Sequence, residues 1–397
     1  MSTPSQYWNE PAETMSVDER AALQWAGLRR TIDHVWSNSP FYRRHLEAAG
    51  VAPGDIRSLE DLRRLPFLTK DHFRAEYPLG MLCVPREHLR EMHMSSGSTG
   101  TPVVMAYTDA DIDQWAECMA RCYRMAGLRP GDTIQITPTF GLFNGGFGFY
   151  HGARKAGLFA IPASSGNTVR QVMLMRDFAV RGLMGVVSYA ARIIEELDAK
   201  GLALPDLGIG IFGAESFSDA MRRRVEQRLN LRAFDIYGMT ETGGVATTGM
   251  DCGARQGLHV WDDHYLTEVV DPVTGAPVPD GTLGEVVFTS LTREAMPVLR
   301  YRTSDLTRVV GRGRCACGRT TLRLDRTAYV RGEYLKKNLK NIWDNQTIRL
   351  SVLGLSLFWA VNQVLFAAFG AHLKESAGVT STVIAQGLLA IGGLGII

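Results

Sequence analysis

Polar and apolar positions change period twice along the chain. From Val17, the run VDERAALQWAGLRRTIDHVW repeats apolar residues at spacings of three and four, which predicts an amphipathic helix. SLEDLRRLPFLTK then offers Ser58 as a cap before an acidic first turn, so the first 92 residues read as helical. Beyond Glu91, the short apolar runs TIQIT, LMGVV, IGIFG and AFDIY alternate with amphipathic segments such as AMRRRVEQRL. That alternation of strand and helix periods predicts an α/β domain. Further on, TEVVD, LGEVVFTSL and LTRVVG flank the turn residues DPVTGAPVPDG and predict a small β-rich subdomain.

The second change comes near the end. From Ile348 onward the only charged residues are Arg349, Lys374 and Glu375. Ile348 to Phe369 is 22 residues, enough as a helix to cross a hydrocarbon layer of roughly 30 Å. A second apolar run starts near Thr382 and is short for a full crossing, so 348–397 reads as one complete and one truncated membrane helix. A buried core helix tolerating Asn362 and Gln363 is the alternative. Residues 327–347 form a basic linker, and Arg331, Lys336, Lys337, Lys340 and Arg349 place the preceding domain on the cytoplasmic side of an inner membrane if the span is genuine. Without it the expectation is a cytoplasmic protein.

Composition adds exclusions. A chain of 397 residues with 21% charged and 45% hydrophobic positions calls for two or three packed units. Its 43 basic residues against 41 acidic give +2, too little for sequence-blind nucleic-acid binding. Six cysteines, with no charged-then-apolar leader at Met1 to Glu10, argue for a reducing compartment.

Three segments carry chemistry. His93 to Pro102 contains Ser95, Ser96, Gly97, Ser98, Thr99 and Gly100 between strand-like runs, a loop able to wrap N–H groups and hydroxyls around phosphate oxygens, although no Gly-Lys-Ser/Thr closes it as a Walker loop. A Ser/Gly-rich linker is the plainer reading. The second, Asp235-Ile-Tyr-Gly-Met-Thr-Glu-Thr-Gly-Gly244, ends a buried-strand pattern with an aromatic for a base, Tyr237, and a carboxylate for Mg²⁺-bound phosphates, Glu241. In the third, Tyr301-Arg-Thr-Ser-Asp305, a carboxylate at a strand end could accept two ribose hydroxyls, or could simply pair with the arginine.

In this order the three segments resemble the adenylate-forming superfamily, specifically the phenylacetate-CoA ligase family. LPFLTKDHFRAEYPLG, FGLFNGGFGFYHGARKAG, IFGAESF and TSLTREAMPVLRYRTSDLT extend the likeness over about 5–326. The resemblance implies the large N-terminal domain of such enzymes, with an AMP-binding α/β and β-rich core at 93–326. It also implies ATP-dependent activation of an aryl carboxylic acid to an acyl-adenylate, followed by transfer to CoA. Ser95 to Gly100 would hold phosphates, Glu241 Mg²⁺, and Thr240 the α-phosphate. Tyr237 would lie on adenine with Ala214 and Glu215 lining the base, Asp235 would be among the nucleotide-binding residues, and Asp305 would hold the ribose. Phe140, Phe143, Gly145, Gly146 and Phe147 match the acid pocket, where the glycines would leave room for a flat ring.

Two departures stand out. Thr101 occupies the position where relatives carry a lysine, and the resemblance stops near Arg326, where they continue into a small C-terminal domain. That predicts nucleotide and acid binding with impaired thioester synthesis. The tail resembles an interior stretch of a major facilitator superfamily transporter of the lysophospholipid type. A non-catalytic nucleotide- or acyl-adenylate-binding module and a transporter-fusion fragment are the competing readings; the expected partners are a small carboxylic acid, ATP, CoA and a membrane through the tail, with a homodimer among the options.

Cys315 and Cys317, together with Cys252 and His259, offer three sulfurs and one imidazole, the complement of a structural Zn²⁺ site. Reduced cysteines in an ordinary loop are the alternative. Cys118 and Cys122 are expected in a core, Cys83 inert, and the Arg222-Arg223-Arg224 run on a solvated helix face. His93 and His151 are the histidines nearest the proposed chemistry.

Overall fold

A computed structural model describes residues 5–95, 101–215 and 218–325, together with 343, 346–347, 349–351 and 353–357. The chain divides into two compact units, Met1–Val330 and Arg331–Ile397. In the second unit the described residues are helical, with Arg349 Nη1 donating to the Trp343 carbonyl at 2.7 Å. The proposed linker and membrane spans lie almost wholly outside the described residues. Among the described ones no helix is long and apolar enough to cross a membrane.

The first unit opens with α1 (Glu10–Thr14), α2 (Val17–Asn38) and α3 (Pro40–Ala48). At the start of α2 the Ser16 hydroxyl accepts from Glu19 N–H while the Glu19 carboxylate accepts from Ser16 N–H, satisfying two orphan donors. The face carrying Leu28, Ile32 and Val35 is buried. The segment after Ser58 departs from expectation, since Glu60–Arg64 is only a 3₁₀ turn. Asp61 takes the N–H groups of Arg57 and Ser58, and Pro66 follows too soon for an α-helix to grow. Helix α4 (Lys70–Ala75) comes next.

Strands β1 (Glu91–Met94) and β2 (Val104–Tyr107) pair antiparallel, with Met94 opposite Val104, and so bracket residues 95–103. After α5 (Asp109–Ala126) the α/β alternation begins. It runs β3 (Thr133–Ile136), α6 (Gly145–Ala156), β4 (Phe159–Ile161), α7 (Thr168–Asp177), β5 (Gly182–Gly185), α8 (Val187–Lys200), β6 (Ile209–Phe212), α9 (Asp219–Leu229) and β7 (Arg232–Tyr237). Strands β5 and β6 are buried at every position, as a parallel sheet covered on both faces requires. Helices α5 and α6 approach so closely that a Cβ at Gly148 would lie 2.4 Å from Trp115 and one at Gly152 2.4 Å from Met119.

The later strands build the small β sheet expected from TEVVD and LGEVVFTSL, and in addition lengthen the main sheet. Following β8 (Gly249–Asp251), β9 (Leu258–Val260), β10 (Tyr265–Val270), β11 (Gly284–Ser290), β12 (Tyr301–Thr307), β13 (Val309–Gly311) and β14 (Arg323–Leu324), the β-rich segment is split. Among the described residues, β10, β11 and β12 make a three-stranded sheet of their own. The others extend the main sheet in the order β13-β14-β9-β8-β7-β6-β5-β3-β4. The free edge of β7 accounts for this: Ile236 pairs with Met250, which continues the ladder with antiparallel strands.

Arg222 also departs from the expected solvated face. It is 6% exposed, pairs with Asp251 at 2.7 Å, and lies on the same side of α9 as the buried Val225 and Leu229. Cys118 and Cys122 sit in the core as expected, and Cys83 is buried, its thiol pushed up to about 12 by that burial.

Candidate active site

The carboxyl ends of the parallel strands are where an open α/β sheet leaves room for a ligand. Strand β7 ends at Tyr237, and the chain turns through a 3₁₀ step at Thr240–Thr242. Gly243 and Gly244 then adopt φ of +97° and +121°, conformations suited to glycine. This turn buries Glu241 to 5% exposure. Glu241 Oε1 has no hydrogen-bond partner and stands 3.4 Å from Lys70 Nζ, at the start of α4. Asn144 Nδ2 donates to Thr240 Oγ1 at 3.2 Å, which joins the turn to the N-terminus of α6.

Strand β12 supplies the opposite wall. Tyr237 OH donates to Asp305 Oδ2 at 2.5 Å, fixing the aspartate beside the aromatic ring. Ser304, at φ +65°, gives its N–H to Glu285 Oε1, and Arg302 Nε donates to Glu285 Oε2 at 2.9 Å. A cavity of about 620 Å³ lies between these groups, with Lys70, Glu241, Glu285, Tyr301, Arg302 and Asp305 in its lining. Burial, with the Glu241 carboxylate next to it, pushes the Tyr301 phenol well above its ordinary value.

Several of the residues singled out in sequence therefore converge: Glu241 and Asp305 line one cavity, and Tyr237 and Thr240 are bonded to its walls. Ser95 leaves β1 with its hydroxyl accepting from Val103 N–H at 2.9 Å, while Ser96, Gly97, Ser98, Thr99 and Gly100 lie outside the described residues. Ala214 and Glu215 stand after β6, next to β7; Ala214 has φ +64°, and the Glu215 carboxylate accepts from Ser188 N–H and Oγ. Asp235 is buried inside β7, its N–H held by Asp251 Oδ1 at 2.8 Å, and does not line the cavity.

The segment after β3 holds a second group. Phe140 and Phe147 meet edge to face at 5.5 Å, and Phe147 lies 5.2 Å from the His93 ring, whereas Phe143 is half exposed. The glycines here serve backbone packing, contrary to the expected room for a flat ring. A Cβ at Gly146 would lie 2.6 Å from the Thr139 carbonyl, and one at Gly145 3.2 Å from Pro138. His151 Nε2 and His93 Nε2 face Glu91 Oε1 at 3.0 and 3.6 Å. Burial pushes the Glu91 carboxyl up, but the hydrogen bond from His151 and the His93 ring close beside it outweigh that and hold the group at about 2.

Sequence reasoning missed Lys70 and Glu285. Lys70 reads as an ordinary charged residue at a helix start, and only the fold carries it to a carboxylate 171 positions further on. Glu285 is hidden in the strand pattern LGEVVFTSL, where its partner Arg302 comes from the neighbouring strand.

Away from the cavity, Cys252, His259, Cys315 and Cys317 bring one ligand atom each to within 4.8 Å of one another. His259 Nδ1 is 2.8 Å from Thr321 Oγ1, which turns Nε2 toward the sulfurs, 3.4 Å from Cys317. Hydrogen bonds from Cys252 and His259 pull the Cys317 thiol far below an ordinary thiol, and the same contact pushes Cys252 up.

Comparison with known proteins fits this arrangement. Residues 70–292 match the AMP-binding enzyme family model. The phenylacetate-coenzyme A ligase of Pseudomonas putida is 43% identical over 329 residues, 81% of this chain and 75% of that protein. The corresponding ligase of Escherichia coli K12 is 45% identical over 324 residues, 80% and 72% of the two chains. An open conformation of 2-hydroxyisobutyryl-CoA ligase, solved with 2-HIB-AMP and CoA, superposes with a TM-score of 0.77 at 29% identity, covering 82% of this chain and 78% of that one.

Proposed function

The chain belongs to the AMP-binding enzyme family, among relatives of the phenylacetate-CoA ligases, and from that premise we propose how its cavity serves the reaction and which acid it takes. It is an AMP-forming acid-thiol ligase, which activates a carboxylic acid with ATP and forms the CoA thioester. An acid oxygen attacks the α-phosphorus, the bond to pyrophosphate breaks, and the acyl-adenylate forms. The CoA thiol then attacks the acyl carbon, its proton is lost to solvent, and AMP leaves with the electron pair of the broken C–O bond.

The observation that carries the placement is the convergence of Lys70, Glu241 and Asp305 on one cavity. Asp305, oriented by Tyr237, accepts the ribose hydroxyls, and Tyr237 offers its ring to the base with Ala214 and Glu215 along the neighbouring strand end. Thr240, held by Asn144, faces the α-phosphate. Lys70 supplies a cation on the phosphate side, which offsets the threonine at position 101. Ser95 to Gly100 complete the phosphate contacts. Asp235 acts indirectly, by keeping β7 in register. A buried carboxylate oxygen without a hydrogen-bond partner, Glu241 Oε1, is a hard donor that fits Mg²⁺. When bound, the ion would neutralise charge on the departing pyrophosphate.

The acid we infer is aryl, of the phenylacetate type. Phe140 and Phe147 form its wall, with Phe143 toward the entrance and Gly145 and Gly146 letting α6 start close behind. The second assignment concerns the quartet Cys252, His259, Cys315 and Cys317, whose donor set and spacing fit one structural Zn²⁺. The Thr321 contact to His259 Nδ1 supports it, as an outer partner that fixes which ring nitrogen is free. Acid-dependent exchange of labelled pyrophosphate into ATP tests the ligase reading. Phenylacetate should drive it and Glu241→Ala should abolish it; a folded protein with no exchange for any aryl acid would overturn the assignment.

A further inference from the structure

Behind the Thr240–Gly244 turn lies a buried cation that the reaction scheme leaves without a role. Arg293 is 3% exposed. Its Nη2 donates to the Ala106 carbonyl of β2 at 3.3 Å, and its Cζ sits 4.6 Å over the Tyr107 ring. Nε stands 3.7 Å from Asp111 Oδ1, but Nε and Nη1 have no hydrogen-bond partner. Asp111 is fully buried, and both its oxygens are already engaged: Oδ1 accepts from Glu294 N–H at 2.8 Å, and Oδ2 from Ala295 and Thr108 N–H at 3.0 and 3.1 Å. Its oxygens are therefore held by backbone donors, and Arg293 meets it as an ion pair without a hydrogen bond from Nε or Nη1.

The free end of that guanidinium points at the acidic turn. A Cβ built on Gly243 would fall 2.2 Å from Arg293 Nη1, so the space a side chain would need is occupied by the arginine. On the same side, Tyr265 OH donates to the Thr242 carbonyl. Gly243 and Gly244 close the turn by donating to the Thr240 and Met239 carbonyls at 2.9 and 2.8 Å. Arg293 thus touches both β2, which follows the proposed phosphate loop in sequence, and the turn that presents Glu241. Leaving two buried guanidinium nitrogens unpaired is costly, and sites that keep such a cost call for an explanation in function or bound water.

We propose that Arg293 is a positioning residue for the phosphate end of the nucleotide site: it braces the Thr240–Gly244 turn from behind and fixes that turn against β2, so that Thr240 and Glu241 meet the phosphates without reorganising. Preorganised groups contribute most where charge develops. The assignment rests on the ligase reading above for its consequence in catalysis, but the brace itself is a property of the ligand-free protein.

The test pairs Arg293→Met with Asp111→Asn, so that no buried carboxylate is left alone, and includes Arg293→Lys as the conservative variant. Hydrogen–deuterium exchange of the peptide spanning 239–248 is measured without ligand, and KM for MgATP and for phenylacetate with it. The expected result is roughly tenfold faster exchange in that peptide and a tenfold higher KM for MgATP, with KM for the acid unchanged and partial recovery in Arg293→Lys, the size expected for about 1.4 kcal/mol. Unchanged amide exchange would overturn the brace, whether or not the enzyme turns over. Equal rises in both KM values would overturn a role specific to the nucleotide. Absence of acid-dependent activity in the unaltered protein would remove the ligase reading alone, with the brace still decided by the amides.

Discussion

Replacing Lys70 by methionine keeps an unbranched apolar stem and removes the charge that stands 3.4 Å from Glu241. At 3.4 Å the Coulomb interaction would be about 5 kcal/mol at an effective dielectric of about 20. Lys70 is 45% exposed, so water screens most of that, and a net contribution of about 1.5 kcal/mol is the reasonable expectation. If the cation turns to the phosphates when ATP binds, that amount appears in the adenylation barrier, as a fall of roughly tenfold in kcat for pyrophosphate exchange. The assay is exchange at saturating phenylacetate, with circular dichroism to verify the fold. A second substitution sharpens it. Thr101→Lys restores a lysine where the resembling family carries one, so Lys70→Met with Thr101→Lys should regain much of the lost rate. An undiminished kcat in Lys70→Met, or a loss that Thr101→Lys leaves unrelieved, would refute the assignment of Lys70 to the phosphates.

Other consequences follow from the same geometry. Asp305→Ala should raise KM for ATP by about 10- to 100-fold, the loss of one or two charge-assisted hydrogen bonds, with Tyr237→Phe giving a smaller rise, both read from initial rates. Metal analysis of protein purified without chelator should give one zinc per chain, and Cys315→Ser should lose it and melt at lower temperature in calorimetry. Glu91 has its folded value depressed to about 2, so its contribution is present above the unfolded value near 4.5 and is lost as pH falls through 2. After screening of this half-buried group, Glu91→Gln should cost about 1–2 kcal/mol at pH 6, and the difference from the unaltered protein should shrink between pH 4 and pH 2 in urea titrations. Gly146→Ala pushes a methyl against the Thr139 carbonyl and should lower the melting temperature and raise KM for the acid together.

Much of this was legible in the sequence because the signals were local. The strands β3, β5, β6 and β7 announce themselves as short apolar runs, and Tyr237 ends the last of them, four residues before Glu241, whereas Asp305 lies within the polar strand β12. The clustering of Cys252, His259, Cys315 and Cys317 was open to expectation from residue type alone, three sulfurs and one imidazole in a β-rich region. What escaped depends on contacts between distant elements. Lys70 and Arg293 acquire meaning only through Glu241 and Gly243, which no spacing reveals. Arg222 could have been recognised, because it stands three and seven residues before the apolar Val225 and Leu229 and so shares their helix face. The run of three arginines disguised that periodicity. The glycines of α6 were read as space for a ligand, but a helix packing at backbone distance needs the same residue, and only the Thr139 carbonyl standing where a Gly146 side chain would go separates the two uses.

The central claim is that one mononucleotide occupies the cavity bounded by Lys70, Glu241 and Asp305, with an aryl acyl group reaching from it to the Phe140 and Phe147 wall. A non-reactive sulfamoyl analogue of phenylacetyl-adenylate carries both parts on one molecule and mimics the intermediate, so its affinity should exceed that of ATP or the acid alone. Titration calorimetry should show one analogue bound per chain, with affinity falling at least tenfold in Asp305→Ala. A folded protein that evolves no heat with the analogue, or an Asp305→Ala variant that binds it as tightly as the unaltered chain, would contradict the account.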